Sequence, residues 1–498
     1  MSTVADPEAA LALARSALAD QPAWLVGGSL RDRMLGRATE DFDILLDGDV
    51  AAAAQRVGRE AGAAAFELSE AHGAWRVVGP GRSWQIDLVP LRGGSLDADL
   101  ALRDFTVNAV VEPLSGGDHV DPVGGLADLE RRLLRMVSSD SFDADPLRVL
   151  RLARLACELN FEIEPATAAS ARRAAPALVR VAAERVFTEL KRLIAAPAAP
   201  RGIELLDELS ITPVVLPELD ALKGVEQNRF HHLDVHDHTL AVLAAVIELE
   251  RDPEPLVGAE HAEAVARLLR EPLADDLDRG AALRWGALLH DIAKPVTRGM
   301  TPEGRVIFPG HDVEGAGTAS RVLARLRASE RLQTHVAALA RHHLRLGFLV
   351  HHQPLSRRAI YAYLDACDPV VVDVTLLSLA DRVATRGDNA EAAIAKHVEL
   401  GRSVLGEALR WRAQGRPAPL LRGDALARQL DIAPGPEVGR LLDQLAEAQF
   451  AGEVETPAEA LALARTLVED STAPPAGSGA PPAGSGAPPA GSGAPAGS

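Results

Sequence analysis

A stretch of 23 residues near the N-terminus constrains the fold more strongly than any other part of the chain. Residues 24–46 read WLVGGSLRDRMLGRATEDFDILL. The stretch begins with a short apolar run, passes through Gly27 and Gly28, and continues in a segment of helical character that carries Arg31. This order predicts a strand, a tight turn and a helix N-terminus. Glycine backbone and the positive end of a helix dipole favour an anion, so the turn is a candidate phosphate site.

Two carboxylates follow on the next predicted strand. Asp41 and Asp43 lie two residues apart in DFDILL, so a strand would point both to the same face. Phe42 and Ile44 would then face the core. Carboxylates this close repel each other unless a cation lies between them, and hard oxygen ligands beside a phosphate turn favour Mg²⁺. The alternative is a solvated, acidic strand end.

A predicted β-hairpin supplies a third carboxylate. Residues 50–64 are predicted to form an Ala-rich helix, and residues 74–79 and 83–91 then read as two strands around a Gly-Pro-Gly turn. Asp87 lies in the second strand and would join the Asp41 and Asp43 pair if these strands are neighbours in one sheet. Three such carboxylates suit two-metal phosphoryl transfer to a hydroxyl nucleophile. In the alternative, Asp87 only caps a sheet edge.

A series of motifs resembles one enzyme family. In chain order these motifs are GGSLRD, LGR, DFD, RDFTVNAV, DPVGGLADLERRLLR and DPLRVLRLARLACELNFEI. They resemble the motifs of the bacterial class II tRNA nucleotidyltransferases and their poly(A) polymerase relatives, over roughly the first half of the chain. The resemblance implies that Asp41 and Asp43 bind Mg²⁺ and that Asp87 assists deprotonation of an RNA 3′ hydroxyl. Gly28, Arg31 and Arg103 are predicted to hold the triphosphate. It also implies a flexible junction between head and neck at residues 121–135.

The RDFTVNAV motif carries polar side chains that suit a nucleotide's sugar and triphosphate. The Arg103 guanidinium is able to fork onto phosphate oxygens, and the Asn108 amide is able to bond ribose hydroxyls. Asp104 is expected to orient Arg103. The family frequently has a second arginine where this chain has Leu102. The alternative is a surface turn with a local ion pair.

The DPLRVLR motif predicts a site that reads the base. With Pro146 in the first turn of a helix, Asp145, Arg148 and Arg151 would follow one another at spacing i, i+3 on one helix face. Cytosine and adenine both offer an exocyclic amine beside a ring-nitrogen acceptor, whereas uracil and guanine offer the reverse. An Asp that accepts and an Arg that donates would therefore select C or A without a template. The family has Glu where this chain has Ala144, and an intrahelical ion pair is the alternative.

A second group of chemical motifs lies further along the chain. Ten of the fifteen histidines fall between His231 and His343. The adjacent His290 and Asp291 are embedded in an apolar segment, where burial is costly without a metal or a partner. The pattern resembles the HD phosphohydrolase superfamily, many of whose fused members keep only a scaffold role, and it implies a divalent transition metal. The implied ligands are His238, His290, Asp291 and Asp381, with His311 and either His342 or His343 as candidate further ligands.

Length and composition indicate several domains of mixed type. A chain of 498 residues exceeds one ordinary domain, and its hydrophobic content of 47% supports large cores. The predicted fold class is α+β: a small head with a mixed β-sheet and helices, then all-α neck, body and HD domains, and a disordered tail. The predicted ranges are 1–120 for the nucleotidyltransferase head, 121–222 for the neck and body, 223–400 for the HD domain, 401–472 for a helical region, and 473–498 for the tail of PPAGSGA repeats.

Charge and cysteine usage bound the partners and the compartment. A net charge of -18 argues against bulk electrostatic binding of nucleic acid, although residues 131–201 carry thirteen Lys and Arg against eight Asp and Glu. Cys157 and Cys367 are the two cysteines, which excludes a disulfide framework. With no long apolar run and no basic leader, a cytoplasmic protein is expected. Its expected partners are the 3′ acceptor end of tRNA with CTP, ATP or both, and neither DNA nor a membrane.

The length of one connecting segment separates the alternatives within the family. Fifteen residues, 88–102, separate Asp87 from Arg103. Full CCA-adding members usually have a longer flexible loop there, and CC-adding members resemble this chain in lacking it. A CC-adding enzyme, an A-adding enzyme and a poly(A) polymerase therefore stand as alternatives. In a different class stands an HD nucleotide phosphohydrolase with a degenerate RNA-binding half, against which intact Asp41 and Asp43 argue.

Overall fold

A computed structural model describes residues 4–228 and 231–472. The chain divides into two compact units, Met1–Gln353 with Cys367–Arg412, and Pro354–Ala366 with Ala413–Ser498. The predicted tail at 473–498 lies outside the described residues. Within them, the helices are too short or too polar to cross a lipid bilayer.

The first unit begins with a mixed six-stranded sheet. Its strands are β1 (Ala23–Val26), β2 (Asp41–Leu46), β3 (Ala64–Ser69), β4 (Ala74–Val78), β5 (Gln85–Pro90) and β6 (Val111–Pro113). They lie in the order β3-β4-β5-β2-β1-β6, and β2 runs parallel to β5 while the other neighbours are antiparallel. The predicted hairpin is confirmed as β4 and β5. The prediction missed β3, an edge strand whose side chains are mostly exposed on both faces and therefore lack the alternation of a half-buried strand.

Five helices flank this sheet: α1 (Pro7–Ala17), α2 (Gly27–Met34), α3 (Val50–Ala61), α4 (Leu96–Ala101) and α5 (Gly125–Glu130). The predicted helix at 50–64 is three residues too long, because Gly62 adopts a left-handed conformation that ends α3. Helices α1 and α3 cover one face of the sheet and form a core with Phe42 and Ile44, which are 1% and 0% exposed. This burial confirms the predicted alternation of β2.

The remaining elements are almost entirely helical. These helices are α6 (Ser141–Ala144), α7 (Leu147–Leu159), α8 (Pro165–Ala174), α9 (Ala183–Ala195), α10 (Ala199–Glu208), α11 (Thr212–Val215), α12 (Pro217–Asp220), α13 (Val235–Arg251), α14 (Glu254–Val257), α15 (Ala259–Leu269), α16 (Arg279–Leu289), α17 (Lys294–Thr297), α18 (His311–Arg325), α19 (Glu330–His342), α20 (Arg345–Leu349), α21 (Arg357–Cys367), α22 (Val371–Ala384), α23 (Ala390–Gln414), α24 (Gly423–Leu430), α25 (Pro436–Ala451) and α26 (Pro457–Thr472). Three short strand pairs join them: β7 (Leu133–Leu134) with β8 (Glu162–Ile163), β9 (Pro272–Ala274) with β10 (Leu277–Asp278), and β11 (Gly299–Met300) with β12 (Val306–Ile307). The α+β class is thus confirmed.

The helical part of the first unit packs around two centres. Helix α7 packs against α9 and α10, and α16 packs against α13, α19 and α22. The Arg284 guanidinium on α16 donates to the carbonyls of Ile194 and Ala196 at the end of α9, at 3.0 and 2.8 Å. This contact joins the two groups of helices.

The second unit has a core of its own. Helices α24, α25 and α26 bury Leu426, Leu441, Leu445 and Ala460 against one another. Helix α23 runs across the predicted boundary between residues 400 and 401. The predicted domain limits remain a proposal.

Candidate functional site

Three carboxylates meet on the two parallel strands of the sheet. The register of β2 and β5 places the Cα atom of Asp43 opposite that of Asp87, and Asp41 lies two residues before Asp43 on the same strand. Because Phe42 and Ile44 face the core, Asp41 and Asp43 project together from the other face. The predicted trio is therefore assembled in the structure.

The environment of Asp43 suits a bound cation. The Asp43 side chain lines a cavity that removes part of its surrounding water, although more than a third of the residue remains exposed. This burial, together with the charge of Asp87, raises the pKa of Asp43 from 3.8 to about 6. Ionised carboxylates held together at this cost fit a divalent cation, with Asp41 and Asp43 as the oxygen ligands.

A guanidinium that the sequence analysis missed holds the third carboxylate. Arg76 on β4 donates from Nε and Nη2 to the two oxygens of Asp87, both at 2.7 Å. The antiparallel register places these two residues opposite each other. Asp87 is thus fixed in orientation by a bidentate pair. The alternation of AWRVV, which points Arg76 to the same face as Asp87, was the signal that could have revealed it.

Gly27 lies close to both Asp43 of β2 and the Arg103 guanidinium. Gly27 has a φ of +77°, and a Cβ atom there would lie 3.2 Å from Oδ2 of Asp43 and 3.4 Å from Nη1 of Arg103. A side chain at this position would therefore crowd both groups. Arg31, predicted to hold phosphate, is buried and donates to Oδ1 of Asn108 at 2.7 Å. Gly28 and Arg31 line one cavity with Asp41 and Asp43.

The prediction that Asp104 orients Arg103 is wrong. Asp104 is buried and accepts hydrogen bonds from Asn108 and Arg151, both at 3.0 Å. Burial alone would raise the pKa of Asp104, but the charge of Arg151 and the Asn108 hydrogen bond outweigh it and hold that pKa below its usual value. Arg103 is held by the wholly buried Asp99 instead, at 3.1 and 3.2 Å. The predicted pairing failed because the Asp104 side chain points toward Arg151 on α7.

The residues predicted to read the base surround a single cavity but do not share a helix face. Asp145 is extended and precedes α7, so the helix begins after Pro146 rather than at Asp145. Its carboxylate binds Arg185 of α9 at 2.7 Å. Arg148 donates to the Leu102 carbonyl at 2.6 Å and to the Ser141 hydroxyl at 3.0 Å. The alternative of an intrahelical Asp145–Arg148 ion pair is therefore excluded.

Two adjoining cavities span the site. One, of about 260 Å³, is lined by Gly28, Ser29, Arg31, Asp32, Thr39, Asp41, Asp43, Asn108, Arg151, Arg154, Leu155 and Arg192. The other, of about 180 Å³, is lined by Arg92, Arg103, Asp104, Asp145, Arg148 and Arg151. Arg151 borders both. The carboxylates that would bind a metal and the residues predicted to read the base thus line two cavities that share Arg151.

A second cluster of ligand-type side chains lies in the helical part of the first unit. Two groups each bring three ligand atoms within 4.8 Å of one another: His238, His290 and Asp381, and Asp291, His311 and His343. Asp291 lies between the groups, with Oδ2 3.2 Å from Nε2 of His290 and Oδ1 3.4 Å from Nε2 of His311. The four residues implied by the resemblance are therefore brought together, and His311 and His343 join them.

The imidazoles of this cluster are oriented as metal ligands usually are. Nδ1 of His290, His311 and His343 each faces a backbone carbonyl oxygen at 2.7 Å. Donation from Nδ1 leaves Nε2 free to bind a cation. Nε2 of His238, His290 and His311 is buried, and no described group makes a well-aligned hydrogen bond to it. These atoms fit a divalent metal.

The structure places His343, and not His342, in this cluster. Nδ1 of His342 accepts a hydrogen bond from Arg345 at 2.9 Å, outside the cluster. The sequence analysis did not single out Lys294, whose Nζ lies 2.6 Å from Oδ2 of Asp291. Its position three residues after Asp291 on a helical segment was the available signal. A cavity of about 770 Å³ opens onto the cluster and is lined by Lys294, Arg382 and Lys396 among others.

Three family models match successive parts of the chain. The model described as the poly A polymerase head domain matches residues 23–135. The model described as the probable RNA and SrmB-binding site of polymerase A matches residues 160–223, and the HD domain model matches residues 258–386. His238 and the residues from Asp145 to Arg151 fall between these ranges. Their assignment depends on the geometry above.

Curated relatives cover most of the chain. An A-adding tRNA nucleotidyltransferase of Deinococcus radiodurans is 38% identical over 461 residues, 90% of this chain and 96% of the relative. A CC-adding tRNA nucleotidyltransferase of Thermus thermophilus is 36% identical over 88% of this chain and 92% of the relative. A multifunctional CCA protein of Halorhodospira halophila is 32% identical over 64% of this chain and 73% of the relative.

Solved structures share the fold. The structure of a CCA-adding enzyme in its apo form I aligns with a TM-score of 0.62 at 17% identity, over 93% of this chain and 94% of the other. A Thermotoga maritima CCA-adding enzyme complexed with tRNA aligns with a TM-score of 0.59 at 18% identity, over 93% of this chain and 96% of the other. With relatives above 30% identity along nearly their whole length, this chain belongs to the tRNA nucleotidyltransferase family and is a nucleotidyltransferase enzyme.

Proposed function

We propose that the protein adds C residues, A residues or both to the 3′ end of tRNA by two-metal phosphoryl transfer. The observation that carries the proposal is the assembly of Asp41, Asp43 and Asp87 on adjacent parallel strands, next to the Arg103 guanidinium. Magnesium bound by Asp41 and Asp43 would neutralise triphosphate charge and acidify the 3′ hydroxyl of the RNA. Both tRNA and nucleoside triphosphates are available in the cytoplasm, the compartment proposed for the reaction.

The remaining residues of the site bind and orient the reactants. Asp87, fixed by Arg76, would take up the proton of the hydroxyl nucleophile. Arg103 and the Gly27–Gly28 turn would hold phosphate oxygens, and Asn108 would hold the ribose. The carboxylate of Asp104 binds Arg151 on α7 and so links the head to this helix beside the proposed nucleotide site.

Base selection is proposed for the smaller cavity. Asp145 would accept from the exocyclic amine of C or A, and Arg148 would donate to the ring nitrogen. Both side chains already have protein partners, which fix their orientation and leave further acceptor and donor positions for a base. Arg151 borders the same cavity and completes the set. A base with the reversed pattern would leave buried donors and acceptors unpaired.

The identity of the added nucleotide is the finer part of the proposal. The two most fully covered relatives named above are an A-adding and a CC-adding enzyme, so the names of relatives favour neither product. The short segment 88–102 favours C addition. It contains the end of β5, a turn and α4, and its Asp99 is bound to Arg103. We therefore propose efficient CTP addition and weak terminal ATP addition, with A-adding and poly(A)-adding activities as the alternatives.

Incorporation of labelled nucleotides tests this function. Wild-type protein with Mg²⁺ is incubated with a tRNA transcript lacking the CCA end and labelled CTP, and Asp41→Asn is compared at equal concentration. Asp47→Asn, an exposed change just after β2, is the matched control. We expect incorporation by the wild type and the control and none by Asp41→Asn. Equal incorporation by all three proteins would refute the proposed site.

A metal-dependent phosphohydrolase activity is proposed as a second function. It rests on the buried Nε2 atoms of His290 and His311, which lie within 3.4 Å of Asp291 oxygens and make no well-aligned hydrogen bond to a described group. His238, His290, Asp291 and Asp381 would hold the transition metal, with His311 and His343 as further ligands. When bound, the metal would supply an activated water for phosphate ester hydrolysis. Lys294 and Arg382 line the cavity and would bind the phosphate.

A further inference from the structure

A fully buried carboxylate in the short segment 88–102 joins two arginines. Asp99 on α4 is 0% exposed. Its oxygens accept from Nε of Arg92 at 2.9 Å and from the Arg92 backbone N–H at 3.1 Å. They also accept from Nη2 and Nε of Arg103, at 3.1 and 3.2 Å. One negative charge therefore holds two guanidinium groups, and the pair keeps an excess positive charge.

The two arginines face the same cavity. Arg92 and Arg103 both line the 180 Å³ cavity, where four guanidinium groups meet two carboxylates. Half of the Arg92 side chain, 52%, is exposed, whereas Asp99 below it is sealed. Arg148, the proposed base-reading arginine, lines the same cavity as Arg92. The wall of the cavity formed by Arg92 and Arg103 therefore carries two guanidinium groups against the single carboxylate of Asp99.

We propose that Arg92 is a further nucleotide-binding residue, which grips phosphate oxygens of the incoming nucleoside triphosphate together with Arg103. The inference rests on the proposed nucleotidyltransferase function and deepens it. A guanidinium fixed by a buried carboxylate presents its remaining N–H groups in a defined direction, which favours bidentate recognition of phosphate. Segment 88–102 thus contributes a substrate ligand in the place where the resembled CCA-adding enzymes have a flexible loop.

The position of Arg103 indicates the incoming nucleotide as the source of the phosphate. Its Nη1 atom lies next to the Gly27 turn and to Asp43, where the triphosphate must meet the metal. The other wall of the cavity carries Asp145 and Arg148, proposed to read the base of the same nucleotide. Asp99 holds Arg92 beside Arg103. Arg92 would therefore contact a nucleotide that extends from the triphosphate site to the base-reading residues. A terminal phosphate of the tRNA has the same chemistry and must be separated by experiment.

The test compares Arg92→Ala and Arg92→Lys with the wild type. Arg56→Ala is the matched control, since Arg56 also pairs with an Asp on the head but lines neither cavity of the site. We expect Arg92→Ala to raise KM for CTP about tenfold, because a hydrogen-bonded charge is lost, and to leave KM for tRNA unchanged. Arg92→Lys should fall between the two, since it keeps the charge but loses the fork. The control should match the wild type.

Two results would overturn the proposal. A raised KM for tRNA with an unchanged KM for CTP would place Arg92 on the RNA instead. Equal KM values for CTP in the wild type and Arg92→Ala would remove Arg92 from the site altogether. An inactive wild type would contradict the proposed function, and calorimetric titration with CTP would still decide the Arg92 contact by a weaker affinity in Arg92→Ala.

Discussion

Replacing Asp43 by Asn is expected to abolish nucleotide addition and, in the absence of metal, to stabilise the fold. The crowded cleft and the charge of Asp87 raise the pKa of Asp43 to about 6. In the unfolded chain this carboxyl titrates near 3.8. Between these two pH values the folded state binds more protons than the unfolded state, so the free energy of unfolding falls as pH rises. The full penalty is present above pH 6 and absent below pH 3.8.

The size of this effect follows from the two pKa values and from solvent exposure. The interval from 3.8 to about 6 corresponds to about 3 kcal/mol for a carboxylate wholly removed from water. More than a third of Asp43 is exposed, and solvent screening reduces the figure to about 1 kcal/mol. Asn keeps the shape and removes the charge. We therefore expect Asp43→Asn to raise the midpoint temperature of the first thermal unfolding transition by about 2 °C at pH 7.5 in EDTA.

Magnesium should reverse this order. A cation that binds only the folded state, at a free concentration one hundred times its Kd, stabilises that state by about 2.7 kcal/mol. Asp43→Asn should lose most of this stabilisation because it loses most of the binding. Differential scanning fluorimetry of wild type, Asp43→Asn and the control Asp47→Asn, each in EDTA and in Mg²⁺, measures both effects. The reasoning is refuted if Asp43→Asn melts below the wild type in EDTA, or if Mg²⁺ raises both melting temperatures equally.

Two further predictions concern the other parts of the molecule. His290→Ala should lower the transition metal retained after dialysis, measured by plasma mass spectrometry, and reduce phosphatase activity without changing nucleotide addition; equal metal content would contradict the proposed cluster. Arg148→Ala should lower the ratio of CTP to UTP incorporation about tenfold to a hundredfold, because a mismatched edge then strands one fewer buried group. An unchanged ratio would show that Arg148 does not read the base.

Local patterns in the sequence predicted the catalytic strands well. The alternation of DFDILL placed Asp41 and Asp43 on one face, and the hairpin pattern placed Asp87 on a neighbouring strand. Strand neighbours are not themselves encoded locally, however. The parallel contact of β2 with β5 depends on α3 and the β3–β4 ribbon between them, and the pattern of β3 gave no sign of a strand.

The partners of the charged side chains were harder to predict. Because Arg103 and Asp104 are adjacent in the sequence, Asp104 was predicted to orient Arg103. In the structure the two side chains point in different directions, Asp104 toward Arg151 and Arg103 toward Asp99. The charged partner of Asp104 is Arg151, which lies 47 residues away on α7. Spacing on an assumed helix likewise placed Asp145 with Arg148, whereas Pro146 leaves Asp145 outside the helix and beside Arg185. Such pairings follow from tertiary packing, which a local pattern does not contain.

The histidine cluster shows the same division. Density of His and Asp residues predicted a metal centre, and the resemblance named His238, His290, Asp291 and Asp381. The chain from His238 to Asp381 runs through the ten helices α13 to α22, so only the folded structure distinguishes His343, inside the cluster, from His342, which binds Arg345 outside it.

The central claim is tested most directly by three tRNA transcripts, which lack the CCA end, carry its first C, or carry both Cs. Each is incubated with the protein, Mg²⁺ and one labelled nucleoside triphosphate at a time, and the products are resolved to single nucleotides. We expect efficient CTP addition to the first two transcripts, weak or no ATP addition to the third, and no addition of UTP or GTP. Robust ATP addition to the transcript ending in CC, or UTP addition equal to that of CTP, would contradict it.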